Sequence, residues 1–195
     1  ERMIFLAMAA RPGGVTIRHQ QSGELVREVA PGGLGDYFSW AVRDGRNLTL
    51  TINSNYYYLD GDHAVLPAGR VVPCEGFGTG ERPLISKDGR RITTFVKGAV
   101  VVRGLTDCDD IFDTGLQGGK ADFSWDGRFV AFHVGKPASK AYDLAIVDLQ
   151  RKTMRTVSLP GSSLFPSWTE DGRLCFRYDG DDYRGFMMAS NVLSL

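Results

Sequence analysis

The tripeptide Asp-Gly-Arg occurs four times, at Asp44-Gly45-Arg46, Asp88-Gly89-Arg90, Asp126-Gly127-Arg128 and Asp171-Gly172-Arg173, with spacings of 44, 38 and 45 residues. Each copy follows a short apolar or aromatic stretch: 37–40, 83–86, 121–125 and 165–168. Each precedes an alternating one: 48–52, 91–95, 129–133 and 174–178. Asp-Gly between two such runs signals a hairpin, because a tight turn that follows strand twist needs positive φ, which glycine supplies freely and aspartate tolerates. Four copies at a nearly constant period describe one structural unit, repeated.

The third copy spells the unit out. Ala121–Trp125 reads as a strand, Asp126-Gly127 as a turn and Phe129–Val134 as a second strand. A polar loop, Gly135–Lys140, leads to a third strand, Asp143–Asp148, and a turn at Leu149–Lys152 leads to a fourth, Met154–Leu159. Four short antiparallel strands in about 42 residues mark a propeller blade. The N-terminal residues fit the template from its second strand onward, with strands at 3–9, 15–19 and 25–29. The C-terminal ones leave it after a third strand at 185–189. The expected fold is therefore all-β, a propeller of repeated four-stranded antiparallel blades. About five units are expected: a partial one over 1–35, whole ones over 36–80, 81–119 and 120–161, and a partial one over 162–195. The two partial units together hold more strands than one blade, so either five units close the ring with imperfect ends or these residues belong to a larger propeller. Glu1 opens almost directly on a strand, with no initiating Met, which favours a truncated or processed chain.

Lys plus Arg and Asp plus Glu are each 23, so the formal charge is zero. That excludes a protein whose main task is to wrap nucleic acid or coat an anionic membrane, since both need a basic excess. No apolar run approaches the ~18 residues of a membrane span. Met3–Ala10 is eight residues long and is followed by Arg11-Pro12-Gly13-Gly14, which suits a buried strand better than the tail of a signal peptide. Glycine, at 24 residues against 8 prolines with no collagen-like period, points to many tight turns.

Candidate chemistry is sparse. No Gly-x-Ser-x-Gly elbow is present, so no serine nucleophile can be named. His19, His63 and His133 fall in separate segments and read as surface or strand histidines. The acidic run Asp107, Asp109, Asp110 and Asp113 is the best calcium candidate, because calcium takes six to eight oxygens and close aspartates in a loop supply several. The same residues equally suit turn capping. Apart from calcium, no cofactor is expected. Tyr56, Tyr57 and Tyr58 with Asn55 form a candidate binding face, since three consecutive residues on a strand cannot all point inward. Trp40, Trp125 and Trp168 read as packing between blades. Cys74, Cys108 and Cys175 form no Cys-x-x-Cys pair, which leaves zinc ribbons and thioredoxin-type sites without support. Cys74 and Cys108 lie in turn-rich stretches where a disulfide is possible in an oxidising compartment, whereas Cys175 reads as a small, buried, unpaired core residue.

Residues 123–132, Phe-Ser-Trp-Asp-Gly-Arg-Phe-Val-Ala-Phe, followed by Asp143-Leu144-Ala145-Ile146-Val147-Asp148-Leu149, resemble the TolB-type beta-propeller repeat, a Trp-Asp-like propeller family. In that family Phe-Ser-Pro-Asp-Gly-Lys/Arg precedes an Ile/Val-Ala-Phe strand and a strand ending in Val-Asp-Leu. Phe165–Arg173 resembles its Pro-Ser-Trp-Ser-Pro-Asp-Gly-Arg variant. The match is close over 120–180, moderate over 82–104 and limited to Asp-Gly-Arg over 36–60. The family's proline before Asp-Gly is replaced by Arg43, Lys87, Trp125 and Glu170. The resemblance implies a bacterial envelope protein, periplasmic or extracellular. The absence of any nucleophile–base or metal-ligand constellation, in a fold that readily serves as a docking platform, leads to the expectation that it binds a protein or glycan without catalysis, within a larger assembly. The alternative is the propeller domain of a larger enzyme, a peptidase or a metal-dependent lactonase-type hydrolase, with its catalytic residues elsewhere or on acidic channel loops.

Overall fold

The computed structural model describes residues 84–190 and Val192 in full; before residue 84 it describes the backbone of seven strands and the turn residue Ser22. The chain divides into two compact units, Glu1–Val71 and Val72–Leu195. In the first, β1 (Met3–Ala7), β2 (Val15–His19) and β3 (Leu25–Val29) form a three-stranded antiparallel sheet in sequence order. A four-stranded antiparallel meander follows, made of β4 (Phe38–Arg43), β5 (Arg46–Thr51), β6 (Asn55–Leu59) and β7 (Val65–Arg70).

In the second unit, β8 (Arg91–Val96), β9 (Ala99–Gly104), β10 (Asp110–Phe123), β11 (Phe129–Gly135), β12 (Tyr142–Asp148) and β13 (Thr153–Val157) form a continuous six-stranded antiparallel sheet. A separate three-stranded sheet holds β14 (Ser162–Trp168), β15 (Leu174–Asp179) and β16 (Arg184–Ala189). Among the described residues there is no α-helix. The all-β expectation holds, and the fourth repeat has its four strands in the expected order. Its boundary does not hold. The first strand was expected to begin near 120–121, yet β10 runs unbroken from the third repeat into the fourth, pairing with β9 through Gln117 and with β11 from Gly118 onward. Gly118 permits this crossing, since a Cβ there would stand 2.5 Å from the carbonyl oxygen of His133.

The register of the repeats follows from their turns. The backbone N–H of Ser86, Ser124 and Thr169 donates to the carbonyl of Arg91, Phe129 and Arg173 respectively, at 2.9 Å each. Val130 and Leu174 therefore take the same place, as do Ala131 and Cys175, Phe132 and Phe176, and His133 and Arg177. Side chains alternate across a strand. Val130 and Phe132 join Phe95, Val100, Val102 and Phe123 in one core, between the third and fourth repeats. Phe129 and Ala131 join Leu144, Ile146, Trp168, Leu174 and Phe176 in a second, between the fourth and fifth. A strand buried on both faces has no solvated side to write in polar residues, hence the unbroken apolar run Phe129–Phe132. Cys175 departs from expectation. It is a free thiol only half-buried, because it lies on the face of β15 opposite Leu174 and Phe176.

Candidate functional site

The described Asp-Gly turns share a hydroxyl–carboxylate bond. Ser124 Oγ donates to Asp126 Oδ1 at 2.5 Å, Asp126 Oδ1 accepts from Arg128 N at 3.0 Å, and Phe129 N donates to Ser124 Oγ at 2.8 Å. Ser86 with Asp88 reproduces this arrangement, and Thr169 with Asp171 repeats its hydroxyl–carboxylate bond at 2.5 Å. Positive φ falls on the glycines alone, 67° at Gly89, 69° at Gly127 and 80° at Gly172; the aspartates keep ordinary φ. The aspartate is therefore present for its carboxylate and not for left-handed tolerance, which corrects the hairpin argument made from the dipeptide.

These turns staple one repeat to the next. Arg91 donates to the carbonyl of Gly127 at 3.0 Å, and the Lys87 ammonium stands 5.7 Å from the Trp125 ring centre. Trp125 Nε1 donates to the Trp168 carbonyl at 3.3 Å, while Trp168 packs its ring 5.9 Å from that of Phe129. Trp168 thus fills a seam between repeats as expected. Trp125 remains 42% exposed, a turn residue whose indole edge only reaches the seam. Beneath it, buried Asp122 on β10 accepts from Trp168 N at 2.8 Å and from Ser167 Oγ at 3.2 Å. Burial raises its carboxyl above the ordinary 3.8, with Lys87 and these hydrogen bonds opposing the shift.

The seam between the fourth and fifth repeats is tied at its other end as well. Lys136, in the β11–β12 loop, donates to the Leu159 carbonyl and pairs with Asp143 at 3.2 Å, and Tyr142 N donates to Ser162 Oγ at 2.9 Å. On this tied end stand exposed aromatics. The buried His133 ring lies 4.8 Å from Tyr142 and 5.9 Å, edge-on, from Phe165. Tyr142 is 37% exposed, Phe165 47% and Tyr183 50%. Tyr183 stacks at 6.4 Å on Tyr178, whose hydroxyl accepts from Gly161 N at 3.0 Å. The buried Ser163 hydroxyl beside them has no hydrogen-bond partner.

Phe165 owes its position to backbone geometry. Its φ is +52°, uncommon for a bulky residue, and Lys120 takes +50° at the same place in the preceding repeat. Both sit where a bulge interrupts the first strand of the repeat, between Gly119 and Asp122 and between Leu164 and Ser167. The bulge recurs in these two repeats and turns one side chain out of the strand in each. The sequence carries no glycine or asparagine there to announce it.

At the opposite end of the same two repeats, an open groove of about 190 Å³ is lined by Phe129, Ile146, Met154, Val192 and the Asp148 and Arg151 side chains, among others. Arg128 grips Asp148 through two hydrogen bonds, at 2.6 and 3.2 Å, which with the Gln150 and Arg151 amides hold that carboxyl at about 2.

The residues singled out from sequence take no part in the contacts described for either place. Asn55 and Tyr56–Tyr58 are on β6, with Tyr57 opposite Thr49 and Pro67; their side chains lie outside the described residues. Asp107 accepts from Asp109 N at 3.1 Å, Asp113 from Gly115 N at 2.9 Å, and Asp110 pairs with Arg103 at 2.7 Å. These carboxylates are engaged in turns and an ion pair, and among the described residues no three His, Cys, Asp or Glu are grouped to hold a metal. Cys108 is held in a disulfide; Cys74 and His63 lie outside the described residues, as does the side chain of His19. Neither Asp122 nor the His133–Tyr142–Phe165 group was reachable from sequence alone, because their partners stand in a neighbouring repeat.

No family model and no curated protein sequence matches the chain. Solved structures do. A putative TolB from Agrobacterium tumefaciens is 16% identical with a TM-score of 0.58, over 85% of this chain and 60% of that one. TolB from Acinetobacter baumannii is 18% identical with a TM-score of 0.58, over 91% of this chain and 46% of its own length. Kuenenia stuttgartiensis hydrazine synthase is 15% identical with a TM-score of 0.52, over 85% of this chain and 49% of that one. The chain thus spans about half the length of these structures, and it shares with the TolB proteins the repeated antiparallel fold.

Proposed function

We propose that this chain is a non-catalytic propeller module of the bacterial envelope that docks a protein partner, its repeats making up about five four-stranded blades of a ring. The observation that carries the reading is the exposed aromatic end of the fourth and fifth repeats, Tyr142, Phe165 and Tyr183 around buried His133. Aromatic side chains offer large contact area at low entropic cost and are enriched at protein interfaces. Here they stand on a seam fixed by Lys136, Tyr142 N and Asp122, so little ordering remains to be done on binding. The envelope placement is supported by the repeat resemblance and by the Cys108 disulfide, since disulfides persist in oxidising compartments.

A photo-crosslinking side chain placed at Phe165 or Tyr142, in cells that carry the full gene, is expected to give a discrete covalent adduct with one protein. The same group at Glu170, in the opposite turn, serves as the control. Adducts of equal intensity from both ends, or none from Phe165, would overturn the reading. Stoichiometric metal lost together with a hydrolytic activity would replace it with an enzyme.

A further inference from the structure

The β15–β16 hairpin carries two aspartates that its turn does not need. Elsewhere an aspartate in a turn caps a backbone amide: Asp107 accepts from Asp109 N, Asp113 from Gly115 N, Asp126 from Arg128 N and Asp148 from Gln150 N. Residues 180–183 join β15 to β16, and Gly180 N donates to the Tyr183 carbonyl at 3.0 Å, which leaves Asp181 and Asp182 at the tip. Neither takes positive φ, and neither carboxylate accepts a hydrogen bond or pairs with a cation. The adjoining cations are committed elsewhere: Arg184 lies 2.8 Å and Arg177 3.6 Å from the Asp179 carboxylate. Two exposed negative charges therefore stand side by side without a partner.

An aromatic platform is built beside them. Tyr183 is 50% exposed, stacks on Tyr178 at 6.4 Å and 14°, and is held by its hydroxyl, which donates to the Phe186 carbonyl at 3.1 Å. Both rings lie over glycines. A Cβ at Gly180 would stand 2.5 Å from the Tyr178 hydroxyl, and one at Gly185 would stand 2.5 Å from that of Tyr183. Ser163 is opposite Tyr178 on β14, hence on the same face of the sheet, and its buried hydroxyl has no hydrogen-bond partner. The tip thus combines a fixed ring, two open carboxylates and an open hydroxyl on the tyrosine side.

We propose that this tip binds a guanidinium: an arginine of the partner lies on the open face of the Tyr183 ring and donates to the Asp181 and Asp182 carboxylates. The negative face of an aromatic ring attracts a cation, and a carboxylate forms its strongest hydrogen bonds with one. Guanidinium is flat and carries five N–H donors in its plane, so the group that stacks on the ring can also reach both acids. An ammonium is a compact point charge and does not stack. The proposal rests on the docking reading above and gives the partner its charge. Ser162, whose hydroxyl takes Tyr142 N, stands opposite Asp179, so the tip shares its end of the seam with Tyr142.

The test uses the whole chain and, as probe, the capped tripeptide glycyl-arginyl-glycine, with lysine or uncharged citrulline in place of its arginine for comparison. The arginine tripeptide is expected to shift the backbone amides of Asp181, Asp182 and Tyr183 saturably, and the citrulline form to bind at least about tenfold more weakly. Asp181→Asn combined with Asp182→Asn, both at exposed positions, is expected to lose at least about tenfold in affinity, and Tyr183→Leu to weaken binding as well. Tetranitromethane is expected to nitrate Tyr183 in the free chain and to do so more slowly with the tripeptide bound. Equal affinity for the arginine and citrulline forms, or for arginine and lysine, overturns the proposal. So does a Tyr183 that resists nitration without tripeptide, which would mean that the chain itself covers the tip. Calcium that shifts the same amides and displaces the tripeptide would make the two aspartates a metal site and overturn it too. Crosslinking at Phe165 that persists in the double Asn variant, with no arginine-selective binding, would leave the docking reading standing and remove this one. Arginine-selective binding without a Phe165 adduct would support the guanidinium site and remove the docking reading.

Discussion

Asp122 and Asp148 are the same residue type drawn in opposite directions. Asp122 is buried at the seam, and its carboxyl titrates above 3.8 because desolvation outweighs its hydrogen bonds and the nearby Lys87. A raised carboxyl contributes its stability in full below the unfolded value and loses it as pH rises through the folded one. Asp122→Asn keeps an acceptor for Trp168 N without the buried charge, so at pH 7 it is expected to match or exceed the parent in denaturant unfolding, with the difference shrinking toward pH 4. Asp122→Ala leaves Trp168 N without its acceptor and should cost about 1–3 kcal/mol near pH 4, and less as pH rises and the parent carries the buried charge. Asp148 titrates at about 2 because Arg128 and two backbone amides bond to its charged form. Its contribution is present above 3.8 and lost as pH falls toward about 2, so Asp148→Asn should flatten the acid limb of the stability profile and leave its neutral region sloped as before. An unchanged acid limb in Asp148→Asn would show that the Arg128 grip contributes nothing.

The Asp-Gly turn is the element on which the repeats are registered, and two substitutions separate its duties. Gly172→Ala meets the left-handed backbone, φ +80°, and should cost about 1–2 kcal/mol. Gly127→Ala meets the same backbone constraint at +69° and also sets a Cβ 2.8 Å from the Arg91 guanidinium, which bonds the Gly127 carbonyl. It is expected to cost more than Gly172→Ala by roughly the 0.5–1.5 kcal/mol of one hydrogen bond, measured by chemical denaturation. Equal losses would show that the staple is not felt. These turns were legible in the sequence because glycine and aspartate are required there for backbone reasons local to a few residues. The β10 crossing was not legible, since the boundary expected between 119 and 120 falls inside one strand made to bend by bulges. The bulges that turn out Lys120 and Phe165 use residues with no left-handed preference, so only the neighbouring strand's pairing reveals them. The aromatic site was hidden for the same reason. His133 and Tyr142 belong to one repeat and Phe165 to the next, and what joins them is packing across a seam.

At the scale of the molecule, the cysteines connect fold to compartment. The chain has three; Cys108 is in a disulfide and Cys175 is a free thiol, half-buried on the β15 face that also carries Arg177. Thiol titration of denatured, unreduced protein should therefore find one reactive group, and three after reduction. If Cys74 closes the loop to Cys108, the chain-entropy picture assigns the bond roughly 3–4 kcal/mol. For a chain of this size that corresponds to a fall in melting temperature of about 6–16 °C on reduction. Cys175→Ser should lower the thiol count of unreduced protein from one to zero and leave the response to reductant unchanged, because its sulfur takes no part in the disulfide. The magnitude bears on location. A loss of that size is a large part of the roughly 5–15 kcal/mol that holds a domain folded, so a chain built this way is at its sturdiest where the bond survives, in an oxidising compartment. Expression with and without export gives the comparison. Exported protein should melt higher and titrate one thiol, whereas cytoplasmic protein should titrate three and recover the higher melting temperature on oxidation. Equal melting temperatures in the two preparations would detach the disulfide from stability and leave the envelope placement resting on the repeat alone.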